Sequence, residues 1–262
     1  LYGHPESRSP LIQWAAFELG LGQLRQGNLA DNPHPFGKIP CLVDRKDVGR
    51  GDASNDRYGE FGNDEDICIF ESGAILQYLH DQFYGSSREN GDVSVSRGDN
   101  GRGRLSPKLS VALASWIAWA NASLEPICFL TNPSDGSTIE GTGLLQRRLS
   151  GNPIDEMDRL DDHLADQSRK SRDDDRSQYL LGRGDEFFTV ADIAVSSYLL
   201  LALQFYPELE LSEWPFVVRY LEECAQRPAY GRAFSRGVQA QLLISLRNMR
   251  TRGRRRESMQ LP

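Results

Sequence analysis

At 262 residues, with 39% hydrophobic and 26% charged side chains, the sequence has soluble globular composition and is long enough for two domains with a sizeable core. Its net charge of −7 gives no reason to expect a nucleic-acid or membrane partner, although an acidic protein can still bind an anionic peptide at a locally positive site. The four cysteines, Cys41, Cys68, Cys128 and Cys224, are far apart and show neither a CxxC pair nor metal-ligand spacing, so reduced thiols in a reducing, cytoplasmic compartment are expected.

The first residue is Leu1 and not methionine, so an N-terminal cut is expected, with any targeting peptide in the missing part. Leu1-Tyr2-Gly3 reads as the end of a short strand and His4-Pro5-Glu6-Ser7 as a turn. Leu11, Ile12, Ala15, Ala16 and Leu19 recur at helical spacing, with Ser9-Pro10 as cap and first-turn proline and Gly20 and Gly22 as terminators.

From His34 to Asp44, HPFGKIPCLVD, a glycine-broken approach delivers the chain into an apolar strand across Ile39-Pro40, and a proline opening a strand this way is a candidate for the cis isomer. Arg45 to Asp66, rich in Gly, Asp, Asn and Arg, reads as a disordered surface insertion. The apolar run Ile67 to Phe70 stops at Glu71-Ser72-Gly73, where a helical pattern starts at once. A carboxylate, a hydroxyl and free backbone N–H groups thus meet at a helix N-terminus, a combination able to grip a small zwitterion. Ser86 to Ser106 repeats the composition of the insertion and reads as a linker.

From Pro107 onward every periodic segment is helical. Leu109, Leu113, Trp116, Ile117 and Ala120 share one face; a second helix runs through Ile154, Met157, Leu160, Asp161 and Leu164 with its acidic residues expected to face outward. Thr189 with Asp192 forms a capping-box pattern ahead of the apolar stretch Val190 to Phe205. That stretch falls short of the roughly 20 residues of a membrane span and is expected to be the central helix of the second domain. Ser212-Glu213-Trp214-Pro215 opens a helix to about Arg227, and the basic segment beyond Gly237 is expected to be a solvated tail, a nucleic-acid or anionic-membrane arm being the less favoured alternative.

PFGKIPCLVD followed by IFESGAILQYL resembles the glutathione-binding half of the soluble glutathione S-transferases, with their NPFGxIP loop, cis-proline and ESxAI turn. GHPES near the start and FFTVADIAVSSYL late in the chain fall in the same family order. The resemblance, of the serine-type phi/theta-like kind, implies an α/β thioredoxin-like N-terminal domain with a mixed sheet (residues 1–85, insertion about 45–66) and a linker (86–106). An all-α helical domain (107–240) and a disordered basic tail (241–262) complete the expected organisation.

The same resemblance implies roles for individual residues. Ser7, in the place of the serine in the HPAS turn of plant phi-type transferases, would stabilise the glutathione thiolate, with Tyr2 at the strand end as the rival hydroxyl. Read alone, Ser7 is a turn or cap residue and Tyr2 a half-buried strand aromatic. Glu71 and Ser72 would hold the γ-glutamyl end, Ile39 before Pro40 would pair its backbone with the cysteinyl residue, and Lys38 would reach the glycyl carboxylate. A hydrophobic electrophile is expected between the Ser7 turn, with His4, and the helix carrying Trp116 and Trp119, though core packing is an equal reading for both tryptophans.

Two departures stand out. Only fourteen residues separate Gly22 from Gly37, so the second helix of the family pattern is expected to be a turn or absent, and His34 stands where asparagine opens NPFG. Weaker glutathione affinity would follow. The implied activity is glutathione transfer to an electrophile, as in detoxification, by a homodimer, with glutathione as co-substrate and no metal or redox cofactor. The alternatives are a non-catalytic interaction scaffold, as in the elongation-factor gamma subunit, and a glutathione-dependent peroxidase or thiol reductase.

Overall fold

The computed structural model describes residues 1–45, 66–83, 96–97, 103–104, 107–130, 142–149, 154–169 and 177–260. Leu1 and Tyr2 are buried at the centre of a small mixed sheet. On one side the backbone nitrogen of Leu1 donates to Arg25 O (2.7 Å) and Gly27 N–H donates to Leu1 O (2.9 Å), the bonding alternation of a parallel pair. On the other side Tyr2 and Cys41 exchange bonds of 2.7 and 3.0 Å in an antiparallel bridge, and β1 (Cys41–Asp44) pairs antiparallel with β2 (Ile67–Phe70). The expected mixed sheet is present in shortened form.

Helix α1 (Ser9–Glu18) buries Leu11, Ile12, Trp14, Ala15 and Ala16, and beside it α2 (Ser72–Phe83) buries Ile75, Leu76 and Leu79. Ser9 is already helical and makes no cap; its hydroxyl instead accepts from His4 N–H at 3.1 Å, tying down the turn before the helix. Helix α2 lies on the sheet face that carries Leu42 and Asp44, where Tyr78 O–H donates to Asp44 at 2.5 Å. Period-two alternation puts Cys41, Val43, Cys68 and Phe70 on the other face. The segment after Gly22 holds a single 3₁₀ turn, Leu29–Asp31, where the family pattern has a helix. His34 packs at a tilt against Phe70, ring centroids 4.9 Å apart, while Cys68 and Phe70 remain exposed.

Most of the expected insertion and linker lies outside the described residues. Arg45 and Asp66, at the ends of the insertion, form an ion pair of 3.6 Å, and within the linker β3 (Ser96–Arg97) pairs antiparallel with β4 (Gly103–Arg104). Helix α3 (Pro107–Trp119) then runs into a π-helical turn, Ala120–Leu124, and a short α4 (Glu125–Cys128). Helices α5 (Gly143–Leu149) and α6 (Asp155–Arg169) precede a small hairpin of β5 (Gln178–Tyr179) and β6 (Gly182–Arg183). The chain ends in α7 (Val190–Phe205), α8 (Pro215–Gln226), α9 (Pro228–Phe234) and α10 (Arg236–Gln260). Among the described residues no helix is long and apolar enough to cross a membrane.

Nearly every side chain of the first three turns of α7 is buried, as its all-round apolar pattern requires. Its capping box is complete: Thr189 Oγ1 accepts from Ala191 N–H (3.2 Å), and the Asp192 carboxylate accepts from Thr189 N–H (2.8 Å) and Leu180 N–H (2.9 Å). Asp192 is fully buried, and burial pushes its carboxyl up to about 6 despite these bonds.

Two expectations are corrected. Asp161 of α6 is half-buried and accepts from Phe216 N–H and Val217 N–H (both 2.9 Å), whereas Asp158 stays exposed while accepting from Trp214 Nε1–H (2.8 Å). Asp161 thereby supplies, from a neighbouring helix, the acceptor that the first turn of α8 does not find at Trp214. The basic segment is helical, because Leu242, Leu246 and Met249 form a narrow buried stripe. Arg247 and Arg250 close around the buried Glu222 of α8 at 3.2 and 3.0 Å.

The two halves share one core, and Arg227 bridges them. Its guanidinium makes a bidentate pair with Glu18 of α1, both bonds 2.8 Å, and lies 3.9 Å over the ring of Phe188. Thr189→Ala removes the capping acceptor at the start of the most buried helix and is expected to lower unfolding stability by about 1 kcal/mol, up to about 2. Urea unfolding of both proteins checks this, and an unchanged midpoint would contradict it.

Candidate functional site

The ladder register brings the expected binding residues to one place. With Cys41 opposite Phe70, the next residues off the end of the ladder are Pro40 and Glu71, so Lys38, Ile39 and Pro40 gather beside Glu71 and Ser72. The Ile39–Pro40 bond is cis. Pro40 is buried, Ile39 half-buried and Lys38 exposed. The loop before them is closed although asparagine is absent from its first position. His34 Nδ1 accepts from Phe36 N–H (3.0 Å), His34 O accepts from Gly37 N–H (2.9 Å), and Asn32 Nδ2–H donates to Lys38 O (2.8 Å).

Glu71 is exposed and takes a φ of 67°, the left-handed region that costs a non-glycine residue energy. Its carbonyl accepts from Ile75 N–H (3.0 Å), the first bond of α2. The N–H groups of Ser72, Gly73 and Ala74 therefore lie in the first helical turn, where no intrahelical acceptor exists and the helix end is partly positive.

Sequence reasoning missed the partners that hold this turn from behind. Ser72 is buried with Tyr198 of α7 beside it, and the Tyr198 O–H donates to Asn121 Oδ1 at 2.5 Å. Asn121 sits in the π-helical turn and donates from Nδ2 to Ile117 O at 2.9 Å. A Cβ on Gly73 would come within 2.6 Å of Asn121 Nδ2 and 2.9 Å of Ile117 Cγ2, so glycine is what lets α2 approach the helical half this closely. Arg8, next to Ser7, pairs with Glu125 and lies 5.8 Å over the Tyr198 ring. Burial is the main cause that pushes the Tyr198 phenol up. Four segments meet here, and none of Arg8, Asn121, Glu125 or Tyr198 stands out in sequence.

The Ser7 turn is a compact hydrogen-bonded unit. Ser7 Oγ lies 2.7 Å from both His4 O and Ser9 Oγ and accepts from Ser9 N–H at 3.1 Å. His4 is exposed, and its Nδ1 accepts from Glu6 N–H at 3.2 Å. Tyr2 is buried with its ring on Gly27, where a Cβ would lie 2.4 Å from Cε1.

Trp116 and Trp119 lie in the last turn of α3. They pack edge to face at 5.4 Å, and Trp116 meets His163 of α6 at 4.9 Å. With Ser115, Arg159 and Leu160 they line a cavity of about 260 Å³ between α3 and α6.

Tyr198→Phe keeps the ring but leaves Asn121 Oδ1 without its donor. Stability is expected to fall by about 1–3 kcal/mol, the range for an orphaned buried polar group. Thermal and urea unfolding test it; an unchanged midpoint would mean the chain of bonds contributes nothing.

No protein-family model matches the sequence, and no curated protein matches it. Among solved structures, Ure2p in complex with glutathione aligns at 17% identity over 89% of this chain and 96% of its own, with a TM-score of 0.57. A glutathione transferase homologue from Lodderomyces elongisporus, solved with two GSH per subunit, aligns at 19% identity over 89% and 96%, TM-score 0.55. Glutathione transferase F7 from Populus trichocarpa aligns at 19% identity over 92% and 97%, TM-score 0.50. The thioredoxin-like α/β half, the all-α half and their order in the chain are common to all of them: this chain has the fold of the glutathione transferases.

Proposed function

We propose that this protein binds glutathione at the end of the β1–β2 hairpin and transfers it, as the thiolate, to a hydrophobic electrophile. The observation that carries the reading is the left-handed Glu71. Glycine would sit at that position without strain, whereas glutamate is held there at a cost, with its carboxylate in solvent beside a helix N-terminus. A ligand bearing an ammonium and a carboxylate on one carbon, as the γ-glutamyl end of glutathione does, satisfies both: the ammonium meets Glu71, and the carboxylate meets the first-turn N–H groups from Ser72 onward. Ser72 contributes its backbone and, through Tyr198, its position. Ile39 offers its N–H and C=O to the cysteinyl residue, and Lys38 offers a cation to the glycyl carboxylate. The bound structural neighbours named above support glutathione as the ligand.

Ser7 then acts on the sulfur. Its oxygen is supplied by Ser9, so the proton of Ser7 is the group left to give away. In the free protein that proton goes to His4 O, which also accepts from Ser7 N–H at 3.0 Å and keeps that bond if the hydroxyl turns to a thiolate. A donor beside the sulfur favours the charged form and lowers the thiol pKa from its free value near about 8.5. Engagement of Ser7 within its own turn also suits a protein that binds glutathione without activating it, and the variants separate the two readings.

Calorimetry with glutathione is expected to show binding by the wild type. Glu71→Gly should weaken it by about tenfold or more, the range for a charge-assisted hydrogen bond, while holding or raising the thermal midpoint because the strain is relieved. Ser7→Ala should leave affinity within a few fold but raise the pKa of the bound thiol, followed by thiolate absorbance, so that the rate falls at neutral pH and recovers at higher pH. Tyr2→Phe should do neither. Loss of glutathione binding in no variant would overturn the site; a silent Ser7→Ala would leave a binding protein without the transferase step.

A further inference from the structure

We propose that Cys41 and Cys68 are a reversible redox pair, in which Cys68 is oxidised by a hydroperoxide and Cys41 closes an intrachain disulfide across the β1–β2 hairpin. Cys68 lies opposite Val43, and Val43 shares its face with Cys41, so the two thiols are diagonal neighbours on one side of the ladder. Their sulfurs are 3.5 Å apart. Rotation of the two side chains has to bring them to about 2.05 Å for a bond. The pair is asymmetric: Cys41 is fully buried and Cys68 is exposed.

The chemistry balances in two steps. A hydroperoxide transfers one oxygen to the Cys68 thiol, giving the sulfenic acid and an alcohol or water. The Cys41 sulfur then attacks the Cys68 sulfur; the S–S bond forms, the S–O bond breaks, and the hydroxyl leaves with the Cys41 proton as water. Burial, and then the hydrogen bond with Cys68, push the Cys41 thiol up to about 12, so Cys68 and not Cys41 is the thiol that meets the oxidant first. Cys128 and Cys224 are buried, and burial raises both. They serve as internal controls.

The test uses the full chain, treated with a small excess of hydrogen peroxide, quenched, alkylated in denaturant and mapped by mass spectrometry with and without reduction. The expected result is a linked pair of peptides carrying Cys41 and Cys68, separated by dithiothreitol, with Cys128 and Cys224 alkylated throughout. Cys68→Ser, a change at an exposed position, should leave Cys41 fully alkylated after peroxide. Cys41→Ser should leave Cys68 as a sulfenic acid that dimedone captures. The proposal is overturned if wild-type Cys68 stops as sulfenic or sulfinic acid with Cys41 still alkylated, if the link joins two chains, or if all four thiols survive the treatment.

Discussion

The site depends on how the chain leaves β2. Phe70 is committed to the ladder with Cys41, and Ser72 is committed to a helix whose first turn is buried against Tyr198 and Asn121. One residue joins these two fixed directions, and it does so at a φ of 67°. The bend turns the unpaired N–H groups of α2 towards the strand end that carries Pro40, and it places a carboxylate among them. Without the bend, the helix end and the loop end would be separate surface features.

The helical half takes part in this arrangement. Gly73 brings α2 into contact with Ile117 and Asn121, Tyr198 of the central helix reaches Ser72, and Arg8 beside the Ser7 turn is held by Glu125. The π-helical turn is what presents Asn121 to this junction, a use consistent with the frequent placement of such turns at functional sites. On the other side of α1 the Arg227–Glu18 pair holds the same halves together, and its bidentate geometry on two mostly buried groups makes it strong only while both partners are present. The proposed binding residues on the α/β half are thus positioned by groups that belong to the helices, with which that half shares one core.

What could be read from sequence was local. The cis-proline, the Glu71-Ser72 turn and the capping box at Thr189 each depend on residues within a few positions of one another, and the structure holds all three. The partners Arg8, Asn121, Glu125 and Tyr198 are polar or aromatic residues scattered over distant segments, and no short-range pattern joins them. Charge misled the reading of α6 and α10 for a similar reason. Asp161 lies beside the apolar stripe of its helix but is used by the first turn of α8, and Leu242, Leu246 and Met249 are too few among arginines to look like a buried face. That Trp116 and Trp119 line a cavity with residues of α6 was not legible either, because position along a helix does not tell which neighbour each side receives.

The central claim is that one bend, at Glu71, builds the glutathione site, and a crystal structure with glutathione bound tests it most directly. The account predicts the γ-glutamyl ammonium against the Glu71 carboxylate, its carboxylate on the first-turn N–H groups of α2, and the sulfur within hydrogen-bond reach of Ser7 Oγ. Glutathione lodged in the tryptophan-lined cavity between α3 and α6, or bound with its γ-glutamyl end away from Glu71, would contradict it.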